Sequence, residues 1–175
     1  MNTANKLTMM RIFLIPVFLV VLYLEFPLHM WIALAVFVVA SVTDFVDGYV
    51  ARHYNQITDF GKFMDPLADK VLVMAAMLWF VEAGRMPAWA LLIVVVREFA
   101  VTALRLMAVE RGRVIAAAWS GKVKTASTMV CIVIMLAFQF AVLDWVCVAV
   151  IVVTTVYSGI EYFIKNKDVI NWSDM

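Results

Sequence analysis

Residues 30–81 read MWIALAVFVVASVTDFVDGYVARHYNQITDFGKFMDPLADKVLVMAAMLWFV. One apolar run opens at Met30 and another closes at Val81, and each has the length of a membrane helix, about 20 mostly apolar residues. Membrane strands are excluded, because they show alternating segments of about 9–11 residues. Where the two runs approach each other they carry four acids, Asp44, Asp47, Asp65 and Asp69. An ionised Asp at the bilayer centre costs at least about 2.5 kcal/mol, so acids on such helices belong in a polar interior. Asp44 and Asp47 are three residues apart, Asp65 and Asp69 four, so each pair shares one helix face. The polar segment 52–61 is the turn that lets the two faces oppose each other.

The rest of the chain extends this pattern. Of its 175 residues 66% are hydrophobic and 15% charged, against roughly 45–50% and 25% in a soluble domain. That excludes a soluble globular enzyme and a disordered tail. A net charge of +1 offers no basic surface for nucleic acid. The apolar runs fall at about 9–24, 30–52, 61–81, 88–109, 125–143 and 145–164, with Asp144 as the whole break between the last two. They predict an all-α integral membrane protein of six transmembrane helices in one domain, residues 1–175. No internal repeat is present. Cys131 and Cys147 lie in apolar runs and read as small buried hydrophobes. The first run lacks a small-residue cleavage site and reads as a retained span.

Orientation follows from Lys and Arg. With the N-terminus inside, 13 of the 14 basic residues lie on the inner side or in inner halves of helices, and only Arg85 lies outside. The prediction is a multi-pass protein of the cell membrane with both termini cytoplasmic. Trp31, Trp79, Trp89, Trp145 and Trp172 fall near span ends, as an aromatic belt does.

Four converging carboxylates repel unless cations neutralise them. All-oxygen ligands point to hard divalent ions, Mg²⁺ or Mn²⁺. Two such ions fit the ligand count and suit an in-line phosphoryl displacement. Gly48 and Gly61 leave room on the acidic faces, and Pro66 frees the carbonyl of Lys62. These features predict a polar, metal-lined cavity at the cytoplasmic side.

The pattern Asp44-x2-Asp47-Gly48-x2-Ala51-Arg52-x8-Gly61-x3-Asp65-x3-Asp69 resembles, without departure, the signature of the CDP-alcohol phosphotransferases. The flanks Asn5-Lys6-Leu7-Thr8-x2-Arg11, Arg97-Glu98-x6-Arg105 and Gly121-Lys122-x-Lys124-Thr125 resemble the branch of that family that uses glycerol 3-phosphate. Ala4 and Thr128 stand where that branch often has Pro and Gln. The resemblance implies transfer of a phosphatidyl group from CDP-diacylglycerol to sn-glycerol 3-phosphate, with CMP released, in phosphatidylglycerol and cardiolipin synthesis. It implies a homodimer working among membrane lipids. It also implies that Asp44, Asp47, Asp65 and Asp69 bind two metal ions and that Asp69 is the general base. Asp44, Gly48, Arg52 and Thr58 match positions that hold CDP-diacylglycerol.

An acceptor phosphate needs cations. Arg97, Arg105, Lys122 and Lys124 are the candidates for that pocket. The two lysines also read as inner anchors, and Arg97 as a partner of Glu98 or another buried acid. Other acceptors, phosphatidylglycerol or inositol phosphate, use the same signature. An ion-coupled transporter would also place carboxylates in the membrane, but it calls for inverted repeats and discontinuous helices, and the sequence shows neither.

Overall fold

A computed structural model describes residues 3–24, 26–53, 59–110, 112–116 and 118–169, with side chains from Met9 onward except those of 44–53, 59–63, 65 and 66. The helices are α1 (Thr3–Tyr23), α2 (His29–His53), α3 (Asp59–Glu82), α4 (Ala88–Glu110), α5 (Trp119–Ala137) and α6 (Ala141–Lys165), followed by a 3₁₀ turn at Lys167–Val169. Among the described residues the fold is all-α.

Helices α3 and α4 stop in the same way. Gly84 and Gly112 take left-handed φ values of 71° and 70°, which a glycine adopts without a Cβ penalty. The next amide closes the turn in each case: Arg85 N donates to Phe80 O at 2.8 Å, and Arg113 N to Ala108 O at 2.9 Å. These bonds satisfy carbonyls that the helix end would leave open.

The break between the last two helices lies at 138–140, not at Asp144. Phe138 (φ −125°, ψ 134°) and Phe140 (φ −114°, ψ 121°) are extended, whereas Asp144 is buried in the first turn of α6. A carboxylate there is favoured by the helix N-terminus. It also meets Arg85: Nε donates to Oδ2 at 2.8 Å and Nη2 to Oδ1 at 2.6 Å. Nη2 also donates to the Phe138 carbonyl at 2.8 Å, and the guanidinium lies over the Phe80 ring. Asp144 therefore begins a helix. In step with this shift, α5 starts at Trp119, six residues before the apolar run at 125, because its first turn is polar but still hydrogen-bonded as helix.

Packing sets α1 against α2 and α3, α5 against α6 and α2, and α4 against α6. Phe18, Phe37, Leu72, Met77, Phe80, Ile132 and Met135 form the core between them. Ala33, Ala40, Ala76 and Ala90 are fully buried, and such small residues let membrane helices approach closely. Outward, Phe13, Val39, Leu78, Leu92, Val130 and Val153 are exposed, one on each of the six helices. An apolar surface that continuous marks contact with something other than water. Among the described residues, α5 and α6 are long and apolar enough to cross a membrane, and shorter apolar stretches cover Met9–Tyr23 and His29–Thr43. Arg11 on α1 is wholly buried, not a surface anchor.

A second, smaller cluster of Val101, Leu104, Ala108, Tyr162 and Val169 joins α4 to α6 and to the 3₁₀ turn. Nearby, Arg113 bonds Asp168, and that hydrogen bond holds the exposed Asp168 carboxyl below its usual range.

Removing one partner of a buried pair leaves the other charge uncompensated, at a cost of about 3–5 kcal/mol. Asp144→Ala should therefore lower the thermal unfolding temperature of the detergent-solubilised protein markedly. Adding Arg85→Met should recover part of the loss, because the orphaned charge goes with it. Additive losses would show that Arg85 and Asp144 act separately.

Candidate active site

The acidic half of α3, the middle of α4 and the first half of α5 enclose a cavity of about 700 Å³. Helical spacing aims the α4 wall. Val94, Arg97, Glu98, Val101, Thr102 and Arg105 recur at three- and four-residue steps and all line it. Asp69 and Lys70 enter from α3, and Lys122, Lys124 and Thr128 from α5. Val73, Val94 and Val101 supply apolar wall. Among the described residues, five cationic side chains and two carboxylates share this space, an excess of three positive charges.

Glu98 organises the cations. Its Oε1 accepts from Arg97 Nη1 at 2.8 Å and from Lys124 Nζ at 2.8 Å. Its Oε2 lies 3.6 Å from Lys70 Nζ, which also donates to Thr102 Oγ1 at 3.1 Å. The Lys124 side chain is 7% exposed, so it is not a surface anchor. Arg97 reaches across to α6 and donates to Ser158 Oγ at 2.7 Å. Two glycines make room for it. A Cβ at Gly159 would stand 3.3 Å from Arg97 Cγ, and one at Gly121 would stand 3.7 Å from Arg97 Nη2.

Arg105 is held differently. Its Nε donates to Tyr162 Oη at 2.7 Å, and its guanidinium lies 5.4 Å from the centroid of the Tyr162 ring. Tyr162 is 1% exposed, so the phenol is a fixed platform. Arg105 and Lys122 have no carboxylate partner among the described residues. They are the cations left to meet a bound anion.

The cavity thus brings Asp69 together with Arg97, Arg105, Lys122 and Lys124. Asp44, Asp47, Gly48 and Arg52 lie on the last part of α2, and Asp65 on α3. Their side chains, and the whole of Thr58, lie outside the described residues. Among the described residues no group of three or more His, Cys, Asp or Glu could hold a metal ion, and of the four sequence-predicted ligands that set includes Asp69 alone. Sequence reasoning missed Glu98 as a shared partner, and with it Ser158, Gly159 and Tyr162. Glu98 was visible as an acid inside an apolar run. The three α6 residues gave no signal, because nothing in their local pattern ties them to α4.

The chain matches the CDP-alcohol phosphatidyltransferase family over residues 1–157. It is 40% identical to the CDP-diacylglycerol–glycerol-3-phosphate 3-phosphatidyltransferase of Bacillus subtilis, covering 99% of each chain. It is 38% identical to the protein of the same name from Shigella flexneri, covering 92% of each chain. Its likeness to the Salmonella typhimurium protein of that name is 41% identity over 74% of this chain and 73% of the relative.

The glycine contact gives a direct test of the cavity. A Cβ at Gly159 sits close enough to displace Arg97 slightly, and a branched side chain displaces it further. Gly159→Val should weaken inorganic phosphate binding to the solubilised protein by about tenfold, the value of one charge-assisted hydrogen bond, and Gly159→Ala by less. Isothermal titration reads both. Unchanged phosphate affinity in Gly159→Val would remove Arg97 from the anion site.

Proposed function

The chain belongs to the CDP-alcohol phosphatidyltransferase family, and we propose that it transfers the phosphatidyl group of CDP-diacylglycerol to sn-glycerol 3-phosphate, releasing CMP and forming phosphatidylglycerophosphate. The observation that carries this reading is the surplus of cations beside Asp69 among the described residues of the cavity, which suits an acceptor that brings its own phosphate. The names of the relatives point to the same acceptor.

We read 1–175 as one domain with α1–α6 as six spans, both termini cytoplasmic, working as a homodimer in the cell membrane. The exposed Trp31, Trp89 and Trp145 support the membrane placement. They stand near the starts of α2, α4 and α6, on the side opposite the cavity's charges, where an interfacial belt belongs. The donor's lipid tails then keep its pyrophosphate at the inner interface, while glycerol 3-phosphate enters from the cytoplasm.

Asp44, Asp47, Asp65 and Asp69 make an all-oxygen donor set on two packed helices, which fits two Mg²⁺ or Mn²⁺ ions. When bound, the ions supply charge neutralisation at the pyrophosphate. Asp44, Gly48, Arg52 and Thr58 hold the CDP part of the donor. Arg105 and Lys122 meet the acceptor phosphate, with Arg97 and Lys124 behind them. This anchoring turns the acceptor's free hydroxyl toward Asp69, making the encounter effectively unimolecular. The hydroxyl oxygen bonds to the phosphorus that bears diacylglycerol. The bond from that phosphorus to the CMP oxygen breaks, CMP leaves with the electron pair, and the hydroxyl proton passes to the Asp69 carboxylate.

Two outcomes follow from these assignments. Removing divalent ions with EDTA should abolish CMP release, and adding Mg²⁺ or Mn²⁺ should restore it. Undiminished release in metal-free buffer would overturn the metal assignment. Arg105→Ala should raise KM for glycerol 3-phosphate by at least about tenfold, since a hydrogen bond to a charged group is worth roughly 1.5–3 kcal/mol. KM for CDP-diacylglycerol should barely move. Equal loss for both substrates would place Arg105 with the fold or the donor.

A further inference from the structure

We propose that Glu98 is a positioning residue for the acceptor. Its carboxylate gathers Arg97, Lys124 and Lys70 behind Arg105 and Lys122, the cations that meet the phosphate of a small phosphorylated alcohol, and it does so without touching the alcohol's reacting hydroxyl. The inference rests on the acceptor reading above and adds a residue that the reading does not use.

Three helices meet on this one side chain. Arg97 is its neighbour on α4, Lys124 comes from α5 and Lys70 from α3. Glu98 is 14% exposed, Arg97 13% and Lys124 7%. Charges this buried repel one another strongly when no anion lies between them. Lysine and arginine are also long and rich in rotamers, so each would otherwise lose its place. The carboxylate removes both problems. Each of its oxygens has an assigned cation, and the second donor of Arg97 is tied to Ser158 Oγ at 2.7 Å. The phosphate site is therefore assembled before the acceptor arrives, which lowers the ordering cost of binding.

The link to α3 gives the arrangement its catalytic use. Lys70 directly follows Asp69, so Glu98 ties the phosphate-binding side of the cavity to the helix that carries the proposed base. The distance between the bound phosphate and the reacting hydroxyl is fixed by the acceptor molecule. The protein must match that distance, and the Glu98–Lys70 contact is where α4 and α3 share a charge.

The electrostatic alternative has the opposite sign. If Glu98 only neutralised the cavity, removing its charge would raise the positive surplus and tighten a dianion. If it positions the cations, removing it loosens the anion in spite of the added positive charge.

The test is steady-state kinetics of CMP release by the solubilised full chain, with each substrate varied in turn. Glu98→Gln should raise KM for glycerol 3-phosphate by about tenfold or more and leave KM for CDP-diacylglycerol near its wild-type value. Glu98→Asp keeps the charge but shortens the reach, and should also raise the acceptor KM. Combined with Lys124→Met, Glu98→Gln should add less than its separate effect, because the two act through one contact. A lower or unchanged acceptor KM in Glu98→Gln, or full wild-type behaviour in Glu98→Asp, would overturn the proposal. So would an equal rise in both KM values together with a fall in unfolding temperature. Wild-type CMP release that does not depend on glycerol 3-phosphate would instead overturn the acceptor reading. In that case the same variants, read against whichever phosphorylated alcohol does support release, still decide the role of Glu98.

Discussion

An ionised side chain inside an apolar helix bundle must find a counter-charge within the protein, because neither lipid nor packed apolar side chains can solvate it. Glu98 is where this constraint is met most fully. One carboxylate on α4 takes Arg97, Lys124 and Lys70 from three helices, so those helices meet at the charged end through one side chain. Apolar packing alone would let α3, α4 and α5 slide against one another. The short Lys124 contact ties α5 to α4, and the 3.6 Å Lys70 contact brings α3 to the same carboxylate.

The two ends of the bundle satisfy the same constraint in different ways, and the difference separates structure from function. At one end Arg85 and Asp144 form a one-to-one pair, with the guanidinium also bound to the Phe138 carbonyl. Among the described residues that pair leaves no charge over, and its effect is to clamp the α3–α4 turn onto the start of α6. At the other end, among the described residues, five cations share two carboxylates. Arg105 is held by a neutral phenol, not by an acid, so its charge stays available. A surplus of positive charge in a walled cavity is a standing attraction for an anion. Glu98 contacts Arg97, Lys124 and Lys70, and Tyr162 contacts Arg105.

Small residues serve this arrangement as much as charged ones. Ala33, Ala40, Ala76 and Ala90 bring the apolar halves of the helices together. Gly121 and Gly159 do the reverse near the cavity, leaving the space that Arg97 crosses to reach Ser158. A glycine on α6 is thus part of the anion site although it offers no functional group.

The sequence by itself determined the all-α class, because runs of about 20 apolar residues leave the backbone no other way to satisfy its hydrogen bonds away from water. It also carried the resemblance to the family, because Asp44, Asp47, Gly48, Ala51, Arg52, Gly61, Asp65 and Asp69 stand in the signature pattern, and helix periodicity turns the acidic spacings into shared faces. Arg97 and Arg105 were legible as candidates because a cation in an apolar run needs a reason, and Lys122 and Lys124 because they stand at the inner mouth of the fifth run. Only the tertiary structure decided who partners whom. Asp144 looked like a break along the chain and proved to be a helix start, since its partner Arg85 is 59 residues away. Glu98 looked like a neighbour for Arg97 and proved to be shared with Lys124 and Lys70. Tyr162 and Gly159 carried no signal in their own segment. Local periodicity fixes which face of a helix a residue occupies, but a counter-charge or a cleared space is supplied by another helix. That pairing depends on how the helices pack, which hydropathy along the chain does not encode.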